Sequence, residues 1–119
     1  TRVQSIALHQ LVATSFARKR PGFHYGTAGE SGLPDSWENT SFYSGHTSSA
    51  FAMATSATAV AWLRDYKSKE LLMAITLTAA LGAGLCRVFA DSHWATDVAT
   101  GAMVGIAVGL VPLVIHPRE

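Results

Sequence analysis

The chain has 119 residues, 49% of them hydrophobic and only 14% charged, with nine Lys and Arg against eight Asp and Glu and a formal net charge of +1. That length makes one domain, the near-neutral balance leaves no electrostatic footprint for nucleic-acid binding, and Cys86 as the single cysteine excludes an intrachain disulfide. No apolar segment alternates with a strand period and no repeat occurs, so the expected class is all-α, a bundle of about four helices.

Residues 3–18 read as a moderately apolar first helix ending in Arg18, Lys19 and Arg20, before Pro21, which stops a helix. Residues 20–45 hold Gly22, Gly26, Gly29, Gly32 and Pro34 among polar side chains and read as one long loop, uncommon in a small domain and often functional. Three apolar helices follow, over about 48–63, 70–89 and 96–115. Residues 98–115 carry no charged side chain, which reaches the length of a spanning helix. Within them Gly101, Gly105 and Gly109 make a smooth stripe on which another helix can pack.

The other apolar stretches are shorter and rich in Ala and Thr, so a membrane bundle is the expectation and a soluble bundle the alternative. Arg64, Lys67 and Lys69, between the second and third helices, belong in the cytoplasm by the positive-inside rule. The polar clusters described next then fall together on the extracytoplasmic face. Arg18, Lys19 and Arg20 run against that rule and are read as pocket residues. Trp62 and Trp94, near helix ends, suit interfacial anchoring or ordinary packing equally.

Three clusters carry candidate chemistry. In CRVFADSHWATD, residues 86–97, His93 and Asp97 stand four apart, where side chains on a helix meet. A carboxylate holding one imidazole N–H fixes the tautomer and leaves the other nitrogen as a nucleophile. Arg87, ahead of the turn at 90–92, brings a planar donor fork suited to phosphate oxygens. Taken alone, such a His and Asp are more often structural, and such an Arg is an ordinary helix-end charge.

In SFYSGHTSSAF, residues 41–51, Ser44, Gly45 and His46 precede an apolar helix whose start is marked by Thr47, Ser48 and Ser49. A helix N-terminus offers free N–H groups and a favourable dipole to an anion. Gly45 permits close backbone approach, Ser44 adds a hydroxyl and His46 can protonate a leaving oxygen; the alternative is a plain N-cap beside an exposed histidine. In ARKRPGF, residues 17–23, the three cations read as pocket charge beside the other clusters, or as a solvated basic helix end by themselves. His9, His24 and His116 lack partners at useful spacing and read as structural or surface residues. Asp91 either tunes His93 or caps a helix.

These stretches, in this order, resemble the signature of the type 2 phosphatidic acid phosphatase and vanadium haloperoxidase superfamily. Its pattern is Lys, six residues, Arg-Pro; then Pro-Ser-Gly-His; then Ser-Arg, five residues, His, three residues, Asp. Here the first motif ends at Arg20-Pro21, the second is Tyr43-Ser44-Gly45-His46, and the third is Cys86-Arg87 followed by His93 and Asp97. The resemblance implies His93 as the nucleophile forming a phosphohistidine, Asp97 as the residue orienting it and His46 as the general acid. It implies Arg20, Arg87, Ser44 and the Gly45 amide as ligands of the phosphoryl oxygens, with no metal and no cofactor.

Ala13 stands where the family Lys falls, and losing one charged donor costs roughly 3 kcal/mol of barrier, about a hundredfold in rate. Lys19 and Arg18 are the accessory cations available to compensate. Tyr43 replaces the motif's Pro and Cys86 its Ser, the latter a small side chain with a weaker hydrogen bond. The implied whole is the C-terminal part of a six-helix, multi-pass membrane phosphatase core, with two further helices expected before Thr1. Its implied substrate is a phosphomonoester or pyrophosphate of a membrane lipid, or another phosphoester; oligomeric state stays open. Two rivals remain: a vanadium-dependent haloperoxidase, with vanadate bonded at His93, and a catalytically impaired membrane module derived from a phosphatase, motivated by Ala13.

Overall fold

The structure is a computed structural model that describes residues 2–31 and 34–116. In chain order it holds α1 (Arg2–Phe16), the short α2 (Pro21–His24) and α3 (Ala28–Ser31), a 3-10 turn at Asp35–Trp37, then α4 (Gly45–Leu63), α5 (Lys69–Phe89), α6 (Ala95–Gly109) and α7 (Val111–Ile115). Every regular element among the described residues is helical, and α1, α4, α5 and α6 are the four long members of the bundle.

Local chemistry sets most boundaries. α1 stops at Phe16, two residues short of the expected end, because Ala17 takes the left-handed backbone at φ 47°. Pro21 does more than stop a helix: it stands in the first turn of α2, where its fixed φ is already helical. α4 begins earlier than its apolar run, at Ser44, whose hydroxyl accepts the Thr47 N–H at 3.4 Å. The expected helix over 96–115 is α6 continued by α7; the two meet at Leu110, itself right-handed at φ −82° and ψ −11°, and the ladder is interrupted there because Pro112 has no N–H. The long loop is likewise not featureless; α2, α3 and the 3-10 turn occupy much of it, while Gly32 lies outside the described residues.

α4 is the central helix, packed by α1, α5, α6 and α7. Its buried residues are all small: Thr47, Ser48, Ala52, Ala54, Ala59 and Ala61. The glycine stripe of α6 meets it at backbone distance. A Cβ placed on Gly101 would lie 2.6 Å from the Ser44 carbonyl oxygen, and one on Gly109 would lie 2.8 Å from that of Ala52; on Gly105 it would collide with the Ser48 oxygen. Such close packing is how helices associate where lipid removes any hydrophobic drive between them.

The large apolar side chains point the other way. Leu71, Ile75, Leu81, Leu85 and Phe89 of α5 and Met103 of α6 are exposed, Phe89 at 83%, whereas the buried apolar residues are alanines and Tyr43. Lys69–Phe89 and Ala95–Ile115, of 21 residues each, are long and apolar enough to cross a membrane. At the far end of the bundle Lys69 pairs with Asp65 and sits 4.7 Å from the Trp62 ring centre, giving that tryptophan a packing role.

Gly105→Ala is therefore expected to lower stability by about 1–3 kcal/mol through overpacking. Gly82→Ala, with no atom within 4 Å of the new Cβ, should be neutral or stabilising by roughly 0.5–1 kcal/mol. Thermal unfolding in detergent checks both; equal effects would mean that α4 and α6 are not in backbone contact.

Candidate active site

The exit of α1, the start of α4, the end of α5 and the start of α6 meet at one end of the bundle, stitched by backbone bonds. Ser41 N–H donates to Arg18 O at 2.9 Å, Gly22 N–H to Asp91 O at 2.8 Å and Ser44 N–H to Asp97 O at 3.0 Å. Asp91, left-handed at φ 51°, turns the chain after α5 so that the amides of Ser92 and His93 both reach Arg87 O, at 3.1 and 3.2 Å. It serves this turn and accepts from Thr27 Oγ1 at 3.1 Å, and among the described residues it makes no hydrogen bond to His93. Trp94 Nε1 donates to Lys19 O at 2.8 Å, tying the third motif to the first.

Arg20 is the hub of this end. It is only 6% exposed, and its donors have protein partners: Nε reaches Trp37 O at 3.0 Å, Nη2 reaches Thr40 O and Oγ1 at 3.1 and 3.3 Å, and Nη1 reaches Ser92 O at 2.8 Å and His93 Nε2 at 3.1 Å. A buried guanidinium satisfied in this way is fixed before any ligand arrives. His93 is 2% exposed, with Nδ1 2.8 Å from the Ser41 carbonyl oxygen. That carbonyl can only accept, so Nδ1 carries the proton and Nε2 the lone pair. Burial, reinforced by the charge of Arg20, holds the His93 pKa down at about 3 and keeps the ring neutral near pH 7.

The expected direct pair between Asp97 and His93 is replaced by a relay. α6 starts only at Ala95, with Trp94 as its N-cap, so His93 lies outside the helix and the four-residue spacing does not bring the two together. Asp97 is instead fully buried, accepting from the Ser41 hydroxyl, from Trp94 N–H at 3.0 Å and from Arg18 Nη1 at 2.6 Å. It grips Ser41 by the side chain, and Ser41 grips His93 by the carbonyl. No residue pattern announces a backbone acceptor, which is why Ser41 escapes sequence reasoning.

A cavity of about 800 Å³ opens beside this cluster, lined among others by Arg20, Thr40, Gly45, His46 and His93, and it continues along α1 and α4 past Ile6, Ala50 and Met53. His46 is exposed on its wall; partial enclosure, then the charges of Arg87 and Arg20, lower its pKa below the usual histidine value. Arg87 is half-buried near both groups, with no hydrogen bond from its guanidinium among the described residues.

The remaining predicted ligands are otherwise engaged. The Ser44 hydroxyl is fully buried, 2.8 Å from Thr47 Oγ1, so the N-cap reading describes its position and it does not face the cavity. Arg18 is bonded to Asp97 and Thr96, and Lys19 is paired with Glu38 at 3.1 Å on the surface. His9, by contrast, read from sequence as structural or surface, lines the cavity. The missed signal is its place one helical turn before Ala13, on the same face of α1.

The profile of the PAP2 superfamily matches residues 3–119. Among curated proteins, the chain is 39% identical over 77 residues to a lipid A 1-phosphatase of Porphyromonas gingivalis, covering 64% of this chain and 16% of that protein's length. No solved structure matches the chain.

Ser41→Ala removes the hydroxyl that holds Asp97 while leaving the carbonyl that holds His93. A loss of about 1–3 kcal/mol is expected from the buried carboxylate oxygen left short of a donor. Denaturation in detergent measures it; unchanged stability would mean that Arg18 and Trp94 alone hold Asp97.

Proposed function

The chain belongs to the PAP2 superfamily, and on that premise we propose that it hydrolyses a phosphomonoester or pyrophosphate of a membrane lipid through a phosphohistidine on His93. The observation that carries this reading is the neutral His93, its Nε2 lone pair at a cavity wall beside the buried Arg20. The lipid phosphate class is supported by the similarity to a lipid A 1-phosphatase. It is supported too by the apolar wall of Ile6, Ala50 and Met53, which continues from the polar cluster along the helices and suits the apolar part of a lipid.

In the proposed reaction Nε2 attacks phosphorus in line, and the nitrogen–phosphorus bond forms as the bond to the leaving oxygen breaks. His46 supplies the proton to that oxygen, help typically worth about 10² to 10⁴ in rate. The Arg20 N–H that faces Nε2 turns to a phosphoryl oxygen as the lone pair is used, and Arg87 with the Gly45 amide binds the others. Water then attacks phosphorus, His46 takes its proton, and inorganic phosphate leaves with the imidazole restored. Asp97 acts through Ser41 by holding the Nδ1 acceptor in place. No metal ion enters these steps. The site end lies on the extracytoplasmic face of a multi-pass membrane domain, with Arg64 and Lys67 at the opposite, cytoplasmic end.

Phosphate release from a lipid phosphate by the full chain, compared with His93→Ala and His46→Ala, tests this reading. Loss of at least about a thousandfold is expected for His93→Ala and of about 10² to 10⁴ for His46→Ala. Acid-labile label retained on the unmodified protein after rapid quench should vanish in His93→Ala, and full activity of that variant would sink the mechanism. The pH profile carries a second expectation. His93 is deprotonated above about 3, while His46 must hold a proton and does so only below a value under 6.5. After correction for substrate ionisation, kcat/KM should peak on the acid side and fall as pH rises through the His46 pKa, and His46→Gln should abolish that alkaline limb.

A further inference from the structure

The donors of the first two motifs can be followed one by one to their partners. Arg20 is occupied by Trp37, Thr40, Ser92 and His93, Arg18 by Asp97 and Thr96, Lys19 by Glu38 and the Ser44 hydroxyl by Thr47. Ala13, where the family pattern has Lys, is 1% exposed and brings no donor at all. A phosphoryl group carries three oxygens besides the leaving one, each able to accept more than one hydrogen bond, so the single Arg20 N–H, Arg87 and the Gly45 amide leave acceptor positions open.

His9 stands where a further donor is needed. The inner face of α1 runs Ser5, His9, Ala13, one residue per turn, and it is anchored on α4 by the 2.7 Å contact between the hydroxyls of Ser5 and Ser48. The His9 ring lies against Gly45 so closely that a Cβ there would sit 2.6 Å from its Cδ2. A hydrogen at position 45 is thus what lets the imidazole and the Gly45 amide share one corner of the cavity. The Nδ1 of His9 is buried and lacks a well-formed hydrogen bond among the described residues; the Tyr43 backbone offers the ring only a weak one, which a ligand or water in the cavity would supplement. His9, His46 and His93 line the same cavity as the Arg20 guanidinium, a set of N–H donors that suits an anion.

We propose that His9 is a ligand of the phosphoryl oxygens in this site, donating from α1 the hydrogen bond that the side chain of Ala13 lacks. The assignment rests on the phosphatase reading above. The neutral ring has one N–H, which the Tyr43 backbone also attracts, and the protonated ring has two; a bound dianion favours the second.

The test uses the full chain in detergent micelles, with dioctanoyl phosphatidate as substrate and inorganic phosphate as competing product. His9→Phe keeps a ring against Gly45 and Tyr43 but has no donor; His9→Gln restores an N–H. Expected for His9→Phe are a fall in kcat/KM and a rise in the phosphate inhibition constant, each about tenfold to a hundredfold, with an unchanged Tm and recovery of most of both in His9→Gln. Values within about twofold of the parent would overturn the assignment while leaving the phosphatase reading intact. A lower Tm and kcat/KM with an unchanged phosphate constant would show a packing role and overturn it as well. A parent that cleaves no phosphoester, yet binds phosphate more tightly than His9→Phe does, would sink the phosphatase reading and support the His9 contact. Absence of both turnover and phosphate binding would sink both.

Discussion

Three glycines of α6 let its backbone lie against the carbonyls of Ser44, Ser48 and Ala52 on α4, and the site inherits its geometry from that contact. The same register sets the Asp97 carbonyl on the Ser44 amide at 3.0 Å. The N-cap of α4 and the first turn of α6 therefore behave as one rigid piece. His46, two residues into one helix region, and His93, just ahead of the other, are held at a fixed separation by backbone atoms instead of by flexible side chains. A bundle whose buried apolar residues, among those described, are alanines and one tyrosine depends on that contact, because many of its large aliphatic side chains face outward.

On that frame Arg20 solves a problem of burial. A guanidinium out of water is tolerable only with its donors satisfied, and the carbonyls of Trp37, Thr40 and Ser92 supply most of what it needs. In being satisfied, it draws the 37–41 segment against the start of α6 and so delivers the Ser41 carbonyl to His93. Burial first, and then the charge of Arg20, disfavour an imidazolium there and keep the histidine neutral. One buried cation thus arranges the loop and the tautomer and contributes to the protonation state. The cost is that Arg20 has little capacity left for a ligand, since its donors already have protein partners.

The histidine, arginine and glycine positions were legible in sequence because the motifs are short and their residue types are tied to phosphoryl chemistry. The glycine stripe was legible for a similar reason, since a repeat of four maps onto one helix face. Ser44 carried two readings, ligand and N-cap, and the capping bond to Thr47 is the one the structure holds. The pairing of Asp97 with His93 was expected from spacing, but that rule needs both residues in the helix, and α6 begins after His93. His9 was passed over because its sequence neighbours are mostly apolar and its neighbours in the fold are Gly45 and Tyr43, brought to it by the packing of α1 on α4.

The division follows the range of the forces involved. Helical class, helix starts at capping residues and the chemistry available to each motif are local properties, set by composition, the 3.6-residue period and the side chains themselves. Which donor meets which acceptor is not local. His93 bonds a carbonyl 52 residues away, Arg20 reaches a histidine 73 residues away and Arg18 a carboxylate 79 residues away. Sequence alone determined that the chain is helical, has an apolar stretch long enough to span a membrane and carries histidines and arginines fit for a phosphoryl group. The packing of α1, α4 and α6 decided that the Ser41 carbonyl meets His93, that Ser44 is a cap and that His9 enters the cavity, because hydrogen bonds need partners within about 3 Å and only the folded chain brings those atoms together.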